Sequence, residues 1–527
     1  GRAAVLICTS GTALSHYYPA VIEAWKSRVP LMVLSSDRPP ELNEADANQT
    51  INQKQVFGMY LKGELNLESP TIEVPPRSLR TSIAHLYAKA HFSSFAGGGP
   101  IHINLPFRGP LDDTRQEGSA YKEYAIAAQQ VAEKPSTTYA ETYPQVSEKA
   151  SRELIEKIKN TPKTLIVVGE LTPWSNKFPF EQLASTLNLP VYFDALSSLK
   201  YRFPILPPKD RRQCAPIPSF DHPEVFQQFT QKTPQLIIHF GGRLISKHFY
   251  KFLQQNPDIE LITVNDGQHK EDPSFQTTQR YLARPDIFAG ALNDRLQEGH
   301  YERHEFQFDH LSWNSFVRQK EEIIDSAPLC YPVVSKTLIE NIPNGSTLYL
   351  GNSTVIRSFD SYASESISKE LTVLGHRGAS GIEGFFSAAG GAACAQAQKS
   401  QDPLTLVLGD VAAIHDLNGL YALKSAKTPI IAFIINNRGG GIFSLLPMHQ
   451  SGGVQNMMFS PHQLSFANFA SGFSLNYENV KQREDFIPSY KRALKRAREE
   501  KTSSIIEVEF DNRTNLEIYQ KLKTIKL

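Results

Sequence analysis

Two residues 27 positions apart carry the most specific chemistry in this chain: Asp410, in Gly409-Asp410, and Asn437, in Asn436-Asn437-Arg438-Gly439. Each follows an apolar run with strand character, Thr405 to Leu408 and Ile430 to Ile435, so parallel pairing would bring a carboxylate and an amide to neighbouring strand ends. A hard cation such as Mg2+ takes oxygen ligands in octahedral array, usually one or two carboxylates plus phosphate oxygens. Asp410, the Asn437 amide and the Gly439 carbonyl supply such a set, at the strand ends where open α/β sheets bind ligands. Taken singly, the Asp also reads as a helix N-cap and the Asn pair as turn chemistry. Their spacing points instead to a metal and diphosphate site.

Three arginines lie in similar settings. Arg38, in Ser36-Asp37-Arg38-Pro39-Pro40-Glu41, directly follows a strand, with Asn48-Gln49 shortly after. Arg357 comes four residues after Ser353, on one face if the segment is helical, and both follow the apolar run at Thr347. Arg377 sits in the glycine-rich loop His376-Arg377-Gly378-Ala379-Ser380-Gly381-Ile382. A guanidinium binds a carboxylate bidentately, so the three point to anionic substrates. The alternative for each is a surface ion pair contributing ~0 to 1 kcal/mol.

At 527 residues the chain exceeds one core and implies roughly three domains. Lys plus Arg (55) balances Asp plus Glu (54), which argues against nucleic acid as a partner and makes any anion preference local. There is no apolar run of the ~18 residues a membrane span requires and no basic-then-apolar leader, so a cytoplasmic location is expected. The cysteines, Cys8, Cys214, Cys330 and Cys394, lack metal or disulfide spacing and read as buried thiols. Ala3 to Cys8 reads as a central strand buried on both faces, which implies a first domain beginning further upstream. A helix through about Lys26 and strands at Pro30 to Ser35 and Ile101 to Leu105 continue a βαβ pattern. Asp112 to Lys149 reads as a linker. Strands at Leu165 to Gly169, Leu236 to Phe240 and Leu261 to Asn265 imply a second parallel unit, without the G-x-G-x-x-G that would make it dinucleotide-binding. A third unit runs from near Thr347 to about Val508.

The G-D and N-N pair resembles the diphosphate-anchoring motif of thiamine diphosphate enzymes, with Val411 where glycine is usual. Together with Thr9 to Leu42 (TSGTALSHYYPAVIEAWKSRVPLMVLSSDRPPEL), Ala47-Asn48-Gln49, GNSTVIR, HRGASGIEG and NNRGGGIFSLLP, the chain resembles the MenD family, 2-succinyl-5-enolpyruvyl-6-hydroxy-3-cyclohexene-1-carboxylate synthases. The resemblance spans nearly the whole chain and is weakest from about 112 to 340. It implies an α/β protein of three parallel-sheet domains: an incomplete pyrimidine-binding domain (1–118), a linker (119–150), a central domain (151–325) and a diphosphate-binding domain (326–527).

The resemblance also implies site residues. Asp410, Asn437 and the Gly439 carbonyl would hold Mg2+ or Mn2+; Gly11, Thr12, Gly409, Val411 and Ala412 would contact the cofactor, and Ile382 would be the apolar wedge between its rings, or else a core isoleucine. Gln49, Ser353, Arg357, Arg377, Ile442 and Phe443 match catalytic-pocket positions, and Arg38, Lys247, Arg357 and Arg377 match substrate-binding ones. His248 stands where the family can carry arginine after that lysine.

The implied reaction decarboxylates 2-oxoglutarate and joins the remaining four-carbon unit to isochorismate. Both substrates are dicarboxylates, so several cations are needed to offset their desolvation. The implied assembly is a homodimer or homotetramer. The family's cofactor-activating glutamate has no counterpart in 1–527, so this polypeptide alone is expected to be inactive or nearly so. Two other readings stay open: another thiamine diphosphate enzyme, such as an acetolactate synthase or 2-oxoacid decarboxylase, and a non-catalytic nucleotide-binding or assembly protein reusing the fold.

Overall fold

The computed structural model of the protein describes residues 3–91, 97–109, 111, 119–133, 137–140, 145–203, 215–267, 269–298, 310–397, 400, 402–445 and 459–526. Among the described residues sixteen strands form three sheets. In the first sheet, β1 (Ala4–Cys8), β2 (Leu31–Asp37), β3 (Gly63–Asn66) and β4 (Pro100–Pro106) lie in the order β1-β2-β4-β3. The second contains β5 (Thr164–Val168), β6 (Pro190–Phe193), β7 (Ala215–Pro216), β8 (Leu236–Phe240), β9 (Glu260–Asn265) and β10 (Thr277–Leu282), ordered β10-β9-β8-β5-β6-β7. The third contains β11 (Thr347–Leu350), β12 (Thr372–Gly375), β13 (Leu404–Gly409), β14 (Ile430–Asn436), β15 (Asn476–Val480) and β16 (Ser504–Glu509), ordered β12-β11-β13-β14-β16-β15. Every pairing is parallel. This is the α/β architecture expected.

The chain forms two compact units: one on the first sheet, joined by Gly267–His269 and Arg377–Gly381, and one on the second and third sheets. In the third sheet Val407, Phe433 and Ile506 face one apolar cluster and Leu406, Ala432 and Ile505 the other, so both faces are covered. That double burial is why β13 and β14 read as unbroken apolar runs.

In its described sheet β1 pairs with β2 alone, and Val5 and Ile7 are 51% and 72% exposed. Three expectations need correction. The helix expected through Lys26 breaks after Thr12–Ser15 and restarts at Tyr18–Lys26, since Pro19 tolerates only a helix's first turn. The segment read as a linker carries the helix Ser119–Ala132, whose Tyr124 hydroxyl donates to the Val74 carbonyl at 3.0 Å. Of the cysteines, Cys330 is buried, Cys8 partly buried and Cys394 exposed, while Cys214 lies outside the described residues.

The second sheet has the strand order of dinucleotide-binding domains, yet its crevice is filled by the chain itself. A Cβ on Gly169 would lie 2.0 Å from the Gly242 carbonyl oxygen, and the Gly242 N–H donates to the Glu170 carbonyl at 2.8 Å. Among the described residues no helix is long and apolar enough to cross a membrane.

Candidate active site

Chain order reverses between β11 and β13, so the third sheet has its topological switch point there. The β13–β14 register pairs Gly409 with Ile435, and both strands therefore stop at nearly one level. Asp410 opens the helix Asp410–His415 beyond β13, and Asn437 is the first residue beyond β14. Asp410 is 3% exposed. Its Oδ1 accepts the Val411 N–H at 2.7 Å, and its Oδ2 accepts the Gly439 N–H at 2.8 Å and faces His462 Nε2 at 3.2 Å.

The glycines after Asn437 are required by contact. A Cβ on Gly441 would lie 2.2 Å from Asn437 Nδ2, and one on Gly439, at φ +104°, would lie 2.0 Å from the Ser460 carbonyl oxygen. Asn436 points away from the site, its amide donating to Glu507 at 2.6 Å.

This donor set fits a hard divalent cation. Asp410 is a buried carboxylate that no Lys or Arg pairs with among the described residues, and its neighbours are the Val411 and Gly439 N–H groups and the His462 imidazole. No group of three His, Cys, Asp or Glu side chains that could hold a metal ion occurs among the described residues, so a metal here would depend on one carboxylate and neutral oxygens.

Across the switch point, Ser353 caps the helix Thr354–Tyr362 with φ 67° and ψ −129°, torsions that L residues rarely adopt. Arg357 Nη1 donates to the Ser353 carbonyl at 2.7 Å, so the expected helical spacing brings the two together. Burial pulls the Arg357 pKa down, and the charge of Asp221 acts in the opposite sense. Asp221 also accepts from the Ser246 hydroxyl and bonds His248 Nδ1 at 2.9 Å. Burial raises its pKa, but the bonds from His248 and Ser246 outweigh that and hold it below the usual value. Lys247, exposed, begins the helix Lys247–Gln255 beside them. Asp221 thus ties the Lys247-His248 segment to the electrostatic neighbourhood of Arg357.

Ile382 is partly buried and packs on the cluster containing Phe385, Leu408 and Ala412. Ile442 and Phe443 are half-buried in the short helix Gly441–Leu445.

In the first unit, Gly11, Thr12, Arg38 and Gln49 gather at the carboxyl edge of the sheet. Gln49 Nε2 donates to Thr9 Oγ1 at 3.1 Å and to the Ser10 carbonyl at 3.0 Å, while Arg38 Nε donates to the Asn48 carbonyl at 3.3 Å. The loop of Arg377 is seated by Glu23, whose carboxylate accepts the Gly378 and Ala379 N–H groups at 2.8 and 2.7 Å. A Cβ on Gly378 would meet Ser27 Oγ at 2.6 Å, which is why glycine stands there.

Sequence reading missed His462, Asp221 and Glu23. Each acts through a contact far away in the chain, and none belongs to a local pattern.

Three family models match in succession: "Thiamine pyrophosphate enzyme, N-terminal TPP binding domain" over residues 1–56, "Middle domain of thiamine pyrophosphate" over 125–324 and "Thiamine pyrophosphate enzyme, C-terminal TPP binding domain" over 361–508. A solved structure titled "X-ray structure of a putative thiamin diphosphate-dependent enzyme isolated from Mycobacterium smegmatis" shares the fold, with TM-score 0.65 and 13% identity over 96% of this chain and 87% of that one. Fold and matched domains define a thiamine diphosphate-dependent enzyme.

The 2-succinyl-5-enolpyruvyl-6-hydroxy-3-cyclohexene-1-carboxylate synthase of Syntrophus aciditrophicus (strain SB) is 33% identical over 100% of this chain and 88% of its own length. That of Chlorobium phaeovibrioides (strain DSM 265 / 1930) is also 33% identical, over 99% of this chain and 86% of its own. The chain belongs to this synthase family, whose members form carbon–carbon bonds with thiamine diphosphate.

Proposed function

We propose that the protein decarboxylates 2-oxoglutarate and adds the resulting succinyl-semialdehyde unit to isochorismate, giving 2-succinyl-5-enolpyruvyl-6-hydroxy-3-cyclohexene-1-carboxylate and CO2 in menaquinone biosynthesis. The reading extends to a cytoplasmic homodimer or homotetramer. The observation that carries it is the pairing of Asp410 and Asn437 at adjacent strand ends, with Ser353 and Arg357 across the same switch point.

Asp410, the Asn437 amide oxygen and the Gly439 carbonyl would hold Mg2+ or Mn2+ against the cofactor diphosphate, next to Gly409, Val411 and Ala412. Bound thiamine diphosphate supplies the electron sink for loss of CO2. The chain's own residues supply charge and orientation. Arg357, desolvated and fixed through the Ser353 carbonyl, offers a guanidinium preorganised for a carboxylate. Ser353 presents a hydroxyl from a torsionally fixed backbone, and Lys247 adds a cation on the second sheet's side. In the first unit, Arg38, Arg377 and Gln49 are assigned to the substrates, and Gly11 and Thr12 to the cofactor. Ile382 is assigned as the wedge between the cofactor rings, and Ile442 and Phe443 line the pocket.

The test is turnover by the full-length gene product with 2-oxoglutarate alone, with 2-oxoglutarate plus isochorismate, and with pyruvate, following CO2 release and loss of isochorismate. Product is expected only with 2-oxoglutarate and isochorismate together, and none from Asp410→Ala. A faster rate with pyruvate than with 2-oxoglutarate would reassign the chain to a decarboxylase or acetolactate synthase activity.

A further inference from the structure

We propose that His462 is a positioning residue for the metal carboxylate: its Nε2–H fixes the Asp410 side chain in the orientation that presents oxygen to the cation. This rests on the diphosphate-site reading above. The imidazole reaches Asp410 from a segment outside both strands, and three independent features hold that segment in place.

The Ser460-Pro461 backbone runs directly against Gly439, where a Cβ would meet the Ser460 carbonyl oxygen at 2.0 Å and Pro461 Cα at 3.2 Å. Only glycine at 439 lets the chain pass so close, and His462 is the next residue along. Beyond His462 the segment is tied to the third sheet. Asn436 Nδ2 and Arg438 Nη1 each donate to the Leu464 carbonyl at 3.2 Å, and the fully buried Glu507 accepts the Phe466 N–H at 2.9 Å and the Ser465 hydroxyl at 3.3 Å. The tautomer is fixed as well. The Leu464 N–H donates to His462 Nδ1 at 3.2 Å, so Nδ1 is the acceptor and the ring proton stays on Nε2, facing Asp410 Oδ2 at 3.2 Å.

Both side chains are largely shielded, 11% exposed for His462 and 4% for Asp410, so water competes poorly for this bond. With Gly439 N–H on the same oxygen and Val411 N–H on the other, the carboxylate is held by three donors before any cation arrives. A metal ligand oriented by such partners loses little freedom on binding, and removing one partner typically weakens metal affinity ~10 to 100-fold.

The experiment is calorimetric titration of Mg2+ into the full-length protein at saturating thiamine diphosphate, for wild type, His462→Ala, His462→Gln and Asp410→Ala. His462→Ala is expected to raise the Mg2+ Kd at least ~10-fold, while His462→Gln, whose amide N–H replaces Nε2–H, stays within about threefold of wild type. Both should keep the wild-type melting midpoint without metal. The proposal is overturned if His462→Ala binds Mg2+ as wild type does, if His462→Gln is as weak as His462→Ala, or if the metal-free midpoint falls in parallel with affinity. Wild-type Mg2+ affinity in Asp410→Ala would instead sink the diphosphate-site reading itself. Loss in Asp410→Ala with wild-type affinity in His462→Ala removes only the role given to His462.

Discussion

The chain leaves β1 and β11 by turns of equal length, Thr9-Ser10-Gly11 before the helix Thr12–Ser15 and Gly351-Asn352-Ser353 before the helix Thr354–Tyr362. The last residue of each has nearly the same torsions, φ 84° and ψ −145° at Gly11, φ 67° and ψ −129° at Ser353. Glycine adopts them without steric penalty, whereas a residue with a Cβ pays on the order of 1–3 kcal/mol. Around Gly11 the space is occupied. A Cβ would meet Gln49 Cγ at 3.0 Å and the Gln49 carbonyl oxygen at 3.2 Å, and the Gly11 N–H donates to Gln53 Oε1 at 2.8 Å. At Ser353 a side chain persists in spite of the torsions. The first turn has no room for a side chain, while the second keeps a hydroxyl at the switch point, which is where a ligand-facing group is of use.

Exchanging the two residues tests that contrast. Ser353→Gly is expected to lower kcat/KM about 100-fold, the scale for losing one positioned donor. Relief of strain should at the same time leave stability unchanged or raise it by up to ~1 kcal/mol. Steady-state kinetics beside urea unfolding would check both, and a variant that lost stability along with activity would remove the strain argument. Gly11→Ser should act in the opposite way, lowering stability by about 1–2 kcal/mol through torsion and contact with Gln49. Urea unfolding that left the midpoint unchanged would show the two turns to be equivalent.

What could be read from sequence follows from the same physics. β13 and β14 are buried along nearly their whole length, so composition alone exposed them, and parallel register then forced Asp410 and Asn437 to one level. The Ser353 to Arg357 interval was legible because one helical turn separates them. β3 was not, since Gly63-Glu64-Leu65-Asn66 is short, half-buried and mostly polar. The break near Tyr17 was hidden because Pro19 is tolerated in a first turn and looks harmless in a helical pattern. Glu23 acts 355 residues from Gly378 and His462 acts 52 from Asp410; such pairings arise only after the sheets assemble. Asp221 is legible only through Ser246 and His248, whose own placement depends on the second sheet.

A strained turn persists only when its surroundings over-determine it, and the far end of the Ser353 helix shows one such restraint. Asp360, fully buried, accepts the Ala195 N–H at 3.0 Å and the Tyr192 hydroxyl at 2.7 Å, with Lys200 Nζ at 3.7 Å. Burial raises both this carboxylate's pKa and that of the equally buried Asp194, the latter to about 8 from an ordinary 3.8, and the charge of Asp360 pushes Asp194 further the same way. The folded pair therefore keeps a proton that the unfolded chain releases near pH 4, so between about pH 4 and 8 the native state binds more protons. Its contribution to stability is fully present below that window and is lost as pH rises through it. Melting midpoints taken across the window should fall more steeply for wild type than for Asp360→Asn, where Asp194 no longer faces a like charge; the difference should amount to about 1 kcal/mol. Equal slopes would mean that the charge of Asp360 does not weigh on Asp194 and that burial alone sets the Asp194 pKa.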